Sequence, residues 1–174
     1  MWDELRSAGL AVTEGVALAG LTTLRVGGPA PAVVECPDTE AVCTAVRALD
    51  AAGAPVLVLG GGSNLLVGDA GVDATVVHVG SSGLRELPDG LVEVDAGVGW
   101  EPLVERTVAA GLGGLECLSG IPGSTGATPV QNVGAYGVEI ADVLDSVELL
   151  ERASGERHWV SPAELGLAYR HSVL

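Results

Sequence analysis

Apolar residues in the first third of the chain follow two periods, one typical of strands and one typical of a helix. Residues 32–36 and 56–59 are short apolar runs, and the second has the continuous apolar character of a strand buried on both faces. Between them, apolar residues recur at helical spacing over residues 39–52, where Asp38 can cap the helix and Gly53 can end it. Strand, helix and strand predict a βαβ unit with a right-handed crossover.

The remaining predicted elements are short. They are a helix at 2–8, an extended piece at 12–16, strand-like residues at 65–67, a strand at 75–79, a hairpin of 84–87 with 91–95, a helix from Pro102 to about 110, a helical turn at 138–141, a hairpin of 143–151 with 157–160, and a short helix after the capping box at 161–164. This order predicts an α+β fold with a small βαβ lobe, residues 1–70, and a larger mixed-sheet lobe, residues 71–174.

The segment 119–137 has the chemistry of a binding surface. Glycines and two prolines rule out a regular helix or strand, and they alternate with hydroxyls and with the amides of Gln131 and Asn132. Main-chain N–H groups and small donors suit a ligand that is both anionic and heteroaromatic. The alternative is a long surface loop, but Ile121, Val133 and Tyr136 are too apolar for one. We interpret the segment as a buried wall of a cofactor site.

A second glycine run, Gly60-Gly61-Gly62-Ser63-Asn64, follows the apolar strand at 56–59. It does not match the Rossmann fingerprint, because Leu65 stands where the third glycine would fall. Two interpretations remain open: a tight turn, or a nest of successive N–H groups for a phosphate.

Composition narrows the function classes. The chain has 174 residues, a net charge of −15 and eight basic residues, all of which are arginine. This charge argues against a nucleic acid or an anionic membrane as partner, and the lack of lysine excludes lysine chemistry. Cys36, Cys43 and Cys117 lack metal or redox spacing, so we expect no metal and a reducing compartment. With no leader or spanning run in the sequence, we expect a cytoplasmic protein.

Four segments resemble one enzyme family, in the same order. They are Thr22-Thr23-Leu24-Arg25-Val26-Gly27-Gly28, Leu59-Gly60-Gly61-Gly62-Ser63-Asn64-Leu65-Leu66, the segment from Ser119 through Gly137 to Glu139, and Tyr169-Arg170-His171-Ser172. The third strongly resembles the flavin-cradling signature of the UDP-N-acetylenolpyruvoylglucosamine reductases, which are FAD enzymes of bacterial peptidoglycan precursor synthesis. The four segments are spread over nearly the whole chain, from residue 22 to residue 172.

The resemblance implies the two-lobed FAD-binding fold of the PCMH / vanillyl-alcohol-oxidase type, with non-covalent FAD. It implies that NADPH reduces the flavin, which then passes hydride to the enolpyruvyl group of a nucleotide-sugar substrate. Arg170 matches the family's catalytic arginine. The alternative interpretation of Arg170 is an arginine that forms an ion pair on the protein surface. The implied FAD-binding residues are Arg25, Gly60, Gly61, Gly62, Ser63, Asn64, Ser119, Gly120, Ile121, Gly123, Ser124, Gly126, Thr128, Gln131, Asn132, Gly134 and Tyr136.

The family also uses a serine proton donor and a glutamate from a domain downstream of the arginine motif. We therefore expect this chain to be the flavin-binding portion of a longer reductase, and to be inactive alone. Ser172 holds a different place in the motif and is not the proton donor. The alternatives are a stand-alone flavin-binding module without turnover, and a sugar or lactone oxidase of the same wider fold.

Overall fold

Four strands form a mixed sheet in the first part of the chain. The computed structural model describes residues 1–174, which form two compact units, residues 1–82 and 83–174. In the first unit the strand order is β1-β2-β4-β3, with β1 antiparallel to β2 and the other pairs parallel. The strands are β1 (Ala11–Ala17), β2 (Pro29–Cys36), β3 (Val56–Leu59) and β4 (Thr75–Val79).

Two helices complete the first unit, α1 (Trp2–Ser7) and α2 (Thr39–Ala51). The predicted cap of α2 is confirmed, since the Asp38 carboxylate accepts the Ala41 N–H at 2.8 Å. The sequence β2-α2-β3 is the predicted βαβ unit, with β4 lying between its two strands. The buried residues Leu18, Val33, Leu59, Val67 and Val76 form one core cluster. Each such Val or Leu side chain contributes about 1.5–3 kcal/mol through burial.

The second unit is built around one helix and three two-stranded antiparallel pairs. Its core cluster comprises Trp100, Leu103 and Val104 of the helix together with Leu118 and Ile140. The elements are β5 (Leu84–Glu86), β6 (Val92–Val94), α3 (Trp100–Ala109), β7 (Gly134–Ala135), β8 (Val138–Glu139), β9 (Val147–Leu150) and β10 (Arg157–Val160). The pairs are β5 with β6, β7 with β8, and β9 with β10.

The predicted α+β class is confirmed, but the strands are distributed differently. The mixed sheet lies in the first unit rather than in the second. The boundary between the units lies after Ser82 rather than after residue 70, because β4 pairs with β2 and β3. None of the helices has both the length and the apolar character needed to cross a membrane.

Three local predictions were wrong. Residues 65–67 form no strand: Val67 is buried in the core, and the Gly28 N–H binds the Gly68 carbonyl instead of a strand partner. Half of the capping box forms, with the Ser161 N–H donating to Glu164 at 2.9 Å, but only turns follow it because Gly166 adopts a φ of 57°. The helical turn predicted at 138–141 is β8 followed by a 3-10 turn at Ile140–Asp142.

Candidate functional site

The structure brings two of the sequence motifs together in the first unit. The Thr23 N–H donates to the Gly62 carbonyl at 3.0 Å, and the Thr23 hydroxyl reaches the Gly61 carbonyl at 3.3 Å. Thr22 is buried and closes its own loop with a bond from its hydroxyl to the Val26 carbonyl at 2.8 Å. The loop at 22–28 therefore lies on the glycine run at 60–64, although 38 residues separate Thr23 from Gly61.

The glycine run presents unpaired main-chain donors. The N–H groups of Gly62 and Ser63 donate no hydrogen bond within the chain. Gly62 has a φ of 61°, and a Cβ added there would collide with the Leu21 carbonyl. Gly62 is buried, and only glycine fits this turn, because any side chain there would disrupt the loop. Gly60 and Ser63 are half-buried, and Asn64 is exposed.

In the second unit, the segment 119–137 is less enclosed than the sequence predicted. Ser124, Thr128, Pro129 and Asn132 are buried, but Tyr136 is 91% exposed. The prediction of a buried wall was therefore wrong for much of the segment. Its apolar residues lie along an irregular backbone that has few positions able to pack inward. Gln131, Gly123, Gly134 and Ile121 are half-buried, and Gly120, Gly126 and Ser119 are exposed.

The N-terminus of α3 holds the start of this segment. The buried indole of Trp100 donates to the Leu118 carbonyl at 2.8 Å. The two carboxylate oxygens of Glu101 accept the Ser119 hydroxyl at 2.7 Å and the Gly120 N–H at 2.5 Å. The Gly120 N–H bond and then the Ser119 hydroxyl bond lower the pKa of Glu101 below its ordinary value. The Ser119 hydroxyl and the Gly120 N–H are thus hydrogen-bonded within the protein and are not presented to a ligand.

The middle of the segment is bound to residues 96–98. The Thr125 N–H donates to the Val98 carbonyl at 2.8 Å, and the Gly126 N–H donates to the Ala96 carbonyl at 2.9 Å. A Cβ at Gly126 would lie 2.5 Å from the Ala96 Cβ, so this glycine permits close packing of two main-chain segments. The Thr128 hydroxyl bonds the Thr125 carbonyl at 2.8 Å.

Asn132 joins several parts of the second unit. It is fully buried, and its side-chain amide donates to Glu139 at 2.8 Å and to the Ala168 carbonyl at 3.1 Å. Its side-chain oxygen accepts the Ala141 N–H at 3.1 Å. All of these bonds are internal.

Arg170 lies at the tip of a tight turn. The main chains of Ala168 and His171 bond each other in both directions, at 3.1 and 3.0 Å, so that Tyr169 and Arg170 occupy the two central positions. One guanidinium nitrogen, Nη2, donates to the Gly134 carbonyl at 2.7 Å, and Nη1 lies 3.5 Å from the Asn132 carbonyl. The fourth sequence motif is therefore in contact with the third. Ser172, also in this motif, donates its hydroxyl to the Val130 carbonyl at 2.6 Å.

Two arginines of the predicted site form no ion pair with a carboxylate. Arg6, Arg85, Arg106 and Arg157 each contact an acidic side chain, whereas Arg25 and Arg170 contact none. This contrast is informative because the chain carries 23 acidic residues. An unpaired cation in such a chain suits an anionic ligand.

Strained backbone concentrates at the same places. Arg25, Asn132, Tyr136 and Arg170 all have φ between 45° and 54°, and Asp89 is the one other non-glycine residue with positive φ. Such conformations cost about 1–3 kcal/mol each and cluster at functional sites.

A concave surface of the first unit lies elsewhere and shares no residue with the predicted site. It has a volume of about 610 Å³ and is lined by Cys36, Thr44 and the acidic residues Glu35, Asp38 and Glu40. Those carboxylates disfavour an anion, so we do not assign the ligand to it.

The family model described as FAD binding domain matches residues 30–161 of this chain. The chain therefore belongs to the FAD binding domain family. The phosphates of FAD require hydrogen-bond donors, and the unpaired N–H groups of Gly62 and Ser63 and the unpaired Arg25 are donors of that kind. Gly62 also has no room for a Cβ.

Similar proteins refine this assignment. The UDP-N-acetylenolpyruvoylglucosamine reductase of Nocardia farcinica is 63% identical over 99% of this chain, and that of Saccharopolyspora erythraea is 56% identical over 95% of it. These matches confirm the resemblance stated from the sequence motifs. The chain spans about half the length of the curated relatives it matches, 46% in both cases.

Solved structures confirm the predicted fold of the PCMH / vanillyl-alcohol-oxidase type. The UDP-N-acetylenolpyruvylglucosamine reductase of Thermus caldophilus is 38% identical and superposes with a TM-score of 0.76, covering 95% of this chain and 57% of that one. The 6-hydroxy-D-nicotine oxidase of Arthrobacter nicotinovorans has a TM-score of 0.68 at 20% identity, covering 89% of this chain and 36% of that one. The second likeness concerns the fold alone.

Sequence reasoning missed two residues of the site. Glu101 lies outside the four motifs, and no local pattern connects it with Ser119. Glu139 lies at the end of the third motif, and the motif itself was the signal that could have identified it. Both carboxylates act on the segment 119–137 through hydrogen bonds.

Proposed function

We propose that this chain is the FAD-holding part of an NADPH-dependent reductase that converts UDP-N-acetylglucosamine enolpyruvate to UDP-N-acetylmuramate, in peptidoglycan precursor synthesis. The names of its relatives support this reaction. The observation that carries the proposal is the placement of Arg170, which lies against the glycine-rich segment with no carboxylate partner.

In the first unit, the FAD phosphates would be held by main-chain N–H groups of the run Gly60, Gly61, Gly62, Ser63 and Asn64, with Arg25 as the adjacent cation. The unpaired N–H groups of Gly62 and Ser63 support this role. An acidic protein needs such local donors, since its net charge of −15 repels an anionic cofactor.

In the second unit, the segment 119–137 would provide a surface for FAD rather than a row of charged ligands. We propose that Ile121, Gly123, Ser124, Gln131, Gly134 and Tyr136 are its contact residues. Ser119, Gly120, Gly126, Thr128 and Asn132 would act mainly by fixing the shape of that surface, because their side chains or main-chain donors are bonded internally.

Bound FAD would supply hydride transfer, which no side chain of this composition performs. Arg170 would stabilise the negative charge that develops on the substrate carboxylate when hydride adds to the enolpyruvyl double bond. Its planar guanidinium can form two parallel hydrogen bonds to a carboxylate, which the point charge of a lysine does not match.

The charge and the cysteines support two further parts of the proposal. A net charge of −15 argues against a nucleic-acid partner or an anionic membrane surface. Cys36, Cys43 and Cys117 are all free thiols, and burial raises the pKa of Cys36 to about 12. Free thiols are typical of a reducing compartment, which supports a cytoplasmic location.

The test replaces Arg170 with Lys in the full-length protein that carries this chain. We expect the reoxidation of flavin by substrate to slow by about 10²–10³, the usual effect of losing one donor that stabilises developing charge. Flavin reduction by NADPH should change little, because no charge develops on the substrate carboxylate in that step. Stopped-flow absorbance follows the two steps separately.

The matched control is Arg85→Lys, which changes an exposed arginine paired with Glu93 at 2.7 Å. It should alter neither step. Equal slowing of both steps by Arg170→Lys would indicate a damaged flavin pocket, and unchanged reoxidation would remove Arg170 from the mechanism.

A further inference from the structure

Asn132 contacts the Arg170 turn at two points. Its side-chain amide donates to the carbonyl of Ala168, the residue whose bonds with His171 close the turn. Its main-chain carbonyl lies 3.5 Å from Nη1 of Arg170, and the stronger acceptor of that guanidinium, the Gly134 carbonyl at 2.7 Å, lies two residues further along the chain. Asn132 therefore contacts both the base of the turn, at Ala168, and the guanidinium of Arg170.

The backbone of Asn132 contributes to this arrangement. Its φ of 45° reverses the chain after the turn at Pro129–Gln131, so that the residues after it can present carbonyls to Arg170. Asn is among the few side chains that tolerate this conformation. The Asn132 N–H donates to the Pro129 carbonyl at 3.2 Å, which fixes the reversal.

Glu139 holds the side chain of Asn132 in place. Its carboxylate accepts one Asn132 amide hydrogen at 2.8 Å and also accepts the main-chain N–H of Asp142 in a reciprocal capping box. Ala141, from the same turn, donates to the Asn132 oxygen at 3.1 Å. With both amide hydrogens and the oxygen bonded internally and the residue fully buried, Asn132 has nothing left with which to contact a ligand.

We propose that Asn132, oriented by Glu139, is a positioning residue for Arg170: it holds the turn at 168–171 so that the guanidinium is fixed on the segment 119–137. The proposal rests on the proposed function, in which Arg170 stabilises charge on the substrate. It assigns to Asn132 an action through Arg170 rather than contact with FAD.

Arg170 is exposed, so its side chain is free to move unless the surrounding residues hold it. A free Arg side chain has many rotamers, so holding it in one orientation costs entropy. The Arg170 main chain also has a φ of 53°, which costs free energy that the turn's own two bonds must offset. The buried Ser172, which follows the turn, is bonded to Val130, and the bond from Asn132 to Ala168 is the contact by which a buried side chain holds the turn itself. Without it, we expect the guanidinium to sample many orientations.

The experiment uses Asn132→Gly, since glycine accepts a φ of 45° and the substitution therefore removes the side chain without adding backbone strain. The control is Asp89→Gly, which makes the same kind of change at another residue with positive φ, in an exposed hairpin turn of the second unit. The first readout is the order parameter of the Arg170 Nε–Hε group by NMR, with the signal assigned from its loss in Arg170→Lys. This readout needs no flavin.

We expect the Arg170 signal to be ordered in the unaltered chain and in Asp89→Gly, and to fall to the mobility of an unrestrained surface side chain in Asn132→Gly. A folded Asn132→Gly chain in which Arg170 remains ordered would overturn the proposal. Glu139→Gln, which keeps the shape of the side chain and weakens its hold on Asn132, should give a smaller change in the same direction. It serves in place of Asn132→Gly if that variant does not fold.

The second readout is a double-mutant comparison in the full-length protein. Asn132→Gly should slow flavin reoxidation by substrate about tenfold or more, as misplacement of a reacting group does, and leave reduction by NADPH largely unchanged. If Asn132 acts through Arg170, the combined variant should be no slower than Arg170→Lys alone. Additive effects would overturn the positioning role while leaving the proposed function intact. A reoxidation rate unaffected by Arg170→Lys would instead count against the proposed function.

Discussion

Four of the five non-glycine residues with positive φ belong to the predicted binding motifs. Arg25, Asn132, Tyr136 and Arg170 have positive φ without being glycine, and each lies in one of the segments that the sequence singled out. An arginine or tyrosine gains nothing from this conformation by itself, so the surrounding hydrogen bonds must hold it there. The strain marks these positions independently of any motif.

Two neighbouring glycines offer a contrast between stability and binding. Gly62 has a φ of 61° and no room for a Cβ, whereas Gly61 is exposed and has no positive φ. We expect Gly62→Ala to destabilise the first unit by roughly 2 kcal/mol or more, from backbone strain and collision. Gly61→Val should leave the unfolding midpoint nearly unchanged but weaken FAD binding, because its side chain blocks approach to the main chain.

Denaturant unfolding and FAD titration measure the two effects. A folded Gly61→Val chain with unchanged FAD affinity would contradict the assignment of the glycine run to the FAD phosphates. An unchanged unfolding free energy in Gly62→Ala would contradict the packing described for Gly62.

Among the elements, α3 determines where the glycine-rich segment begins. Its first residue binds the Leu118 carbonyl through the Trp100 indole, and its second binds Ser119 and Gly120 through the Glu101 carboxylate. The helix thus fixes three successive residues at the entry to the segment. The hydrogen bonds to Glu101 favour its ionised form, which couples this contact to pH.

We expect Glu101→Gln to lower the unfolding free energy at neutral pH, because the amide keeps one acceptor oxygen and loses the charge. A carboxylate with a lowered folded-state pKa stabilises the protein above its unfolded pKa, and the stabilisation is lost as the pH falls through the folded pKa. The difference from the unaltered protein should therefore be full well above pH 4.5, the ordinary value, and shrink below it. Denaturant unfolding across this pH range measures it.

Glu105→Gln is the matched control on the same helix, since the side chain of Glu105 is exposed and forms no hydrogen bond or ion pair. It should not reproduce the effect. If the destabilisation by Glu101→Gln were the same below pH 4 as at pH 7, the charged contact with Gly120 would not be its cause.

Elements with a strong local signal were predictable, and those that depend on distant partners were not. The βαβ unit follows from apolar periodicity and from Asp38 and Gly53 at the ends of α2. The position of β4 in the sheet does not follow from local sequence. Its parallel pairing with β2 and β3 depends on residues about 20 to 40 positions away. Because β4 belongs to this sheet, the first unit ends at residue 82, whereas the sequence predicted an end at residue 70.

In the candidate site, too, some features were predictable from local sequence and others were not. The motifs identified the segments that the structure brings into contact, including Arg170 on the segment 119–137. The internal hydrogen bonds of Ser119, Gly120 and Asn132 to Glu101 and Ala168 were not predictable, because Glu101 lies outside the motifs and Ala168 is 36 residues from Asn132. A motif shows which residues belong to a site but not which of them face the ligand.

For the molecule as a whole, charge is the main constraint on binding. The chain carries 23 acidic and eight basic residues and has no lysine, yet its family binds a cofactor with two phosphates. We propose that these facts are reconciled locally, by the unpaired N–H groups of Gly62 and Ser63 and by Arg25, which has no carboxylate partner. Affinity for FAD should therefore depend on a few positions rather than on the overall field.

The visible absorbance spectrum of the purified protein shows whether this chain holds FAD. After incubation with excess FAD and removal of free cofactor, we expect the bands of oxidised flavin at one FAD per folded chain. Riboflavin, which lacks the phosphates that Gly62, Ser63 and Arg25 would bind, should be retained far less. A folded chain that stays colourless with FAD would not be a flavin-binding protein, and one that retains riboflavin equally well would not bind the cofactor through its phosphates.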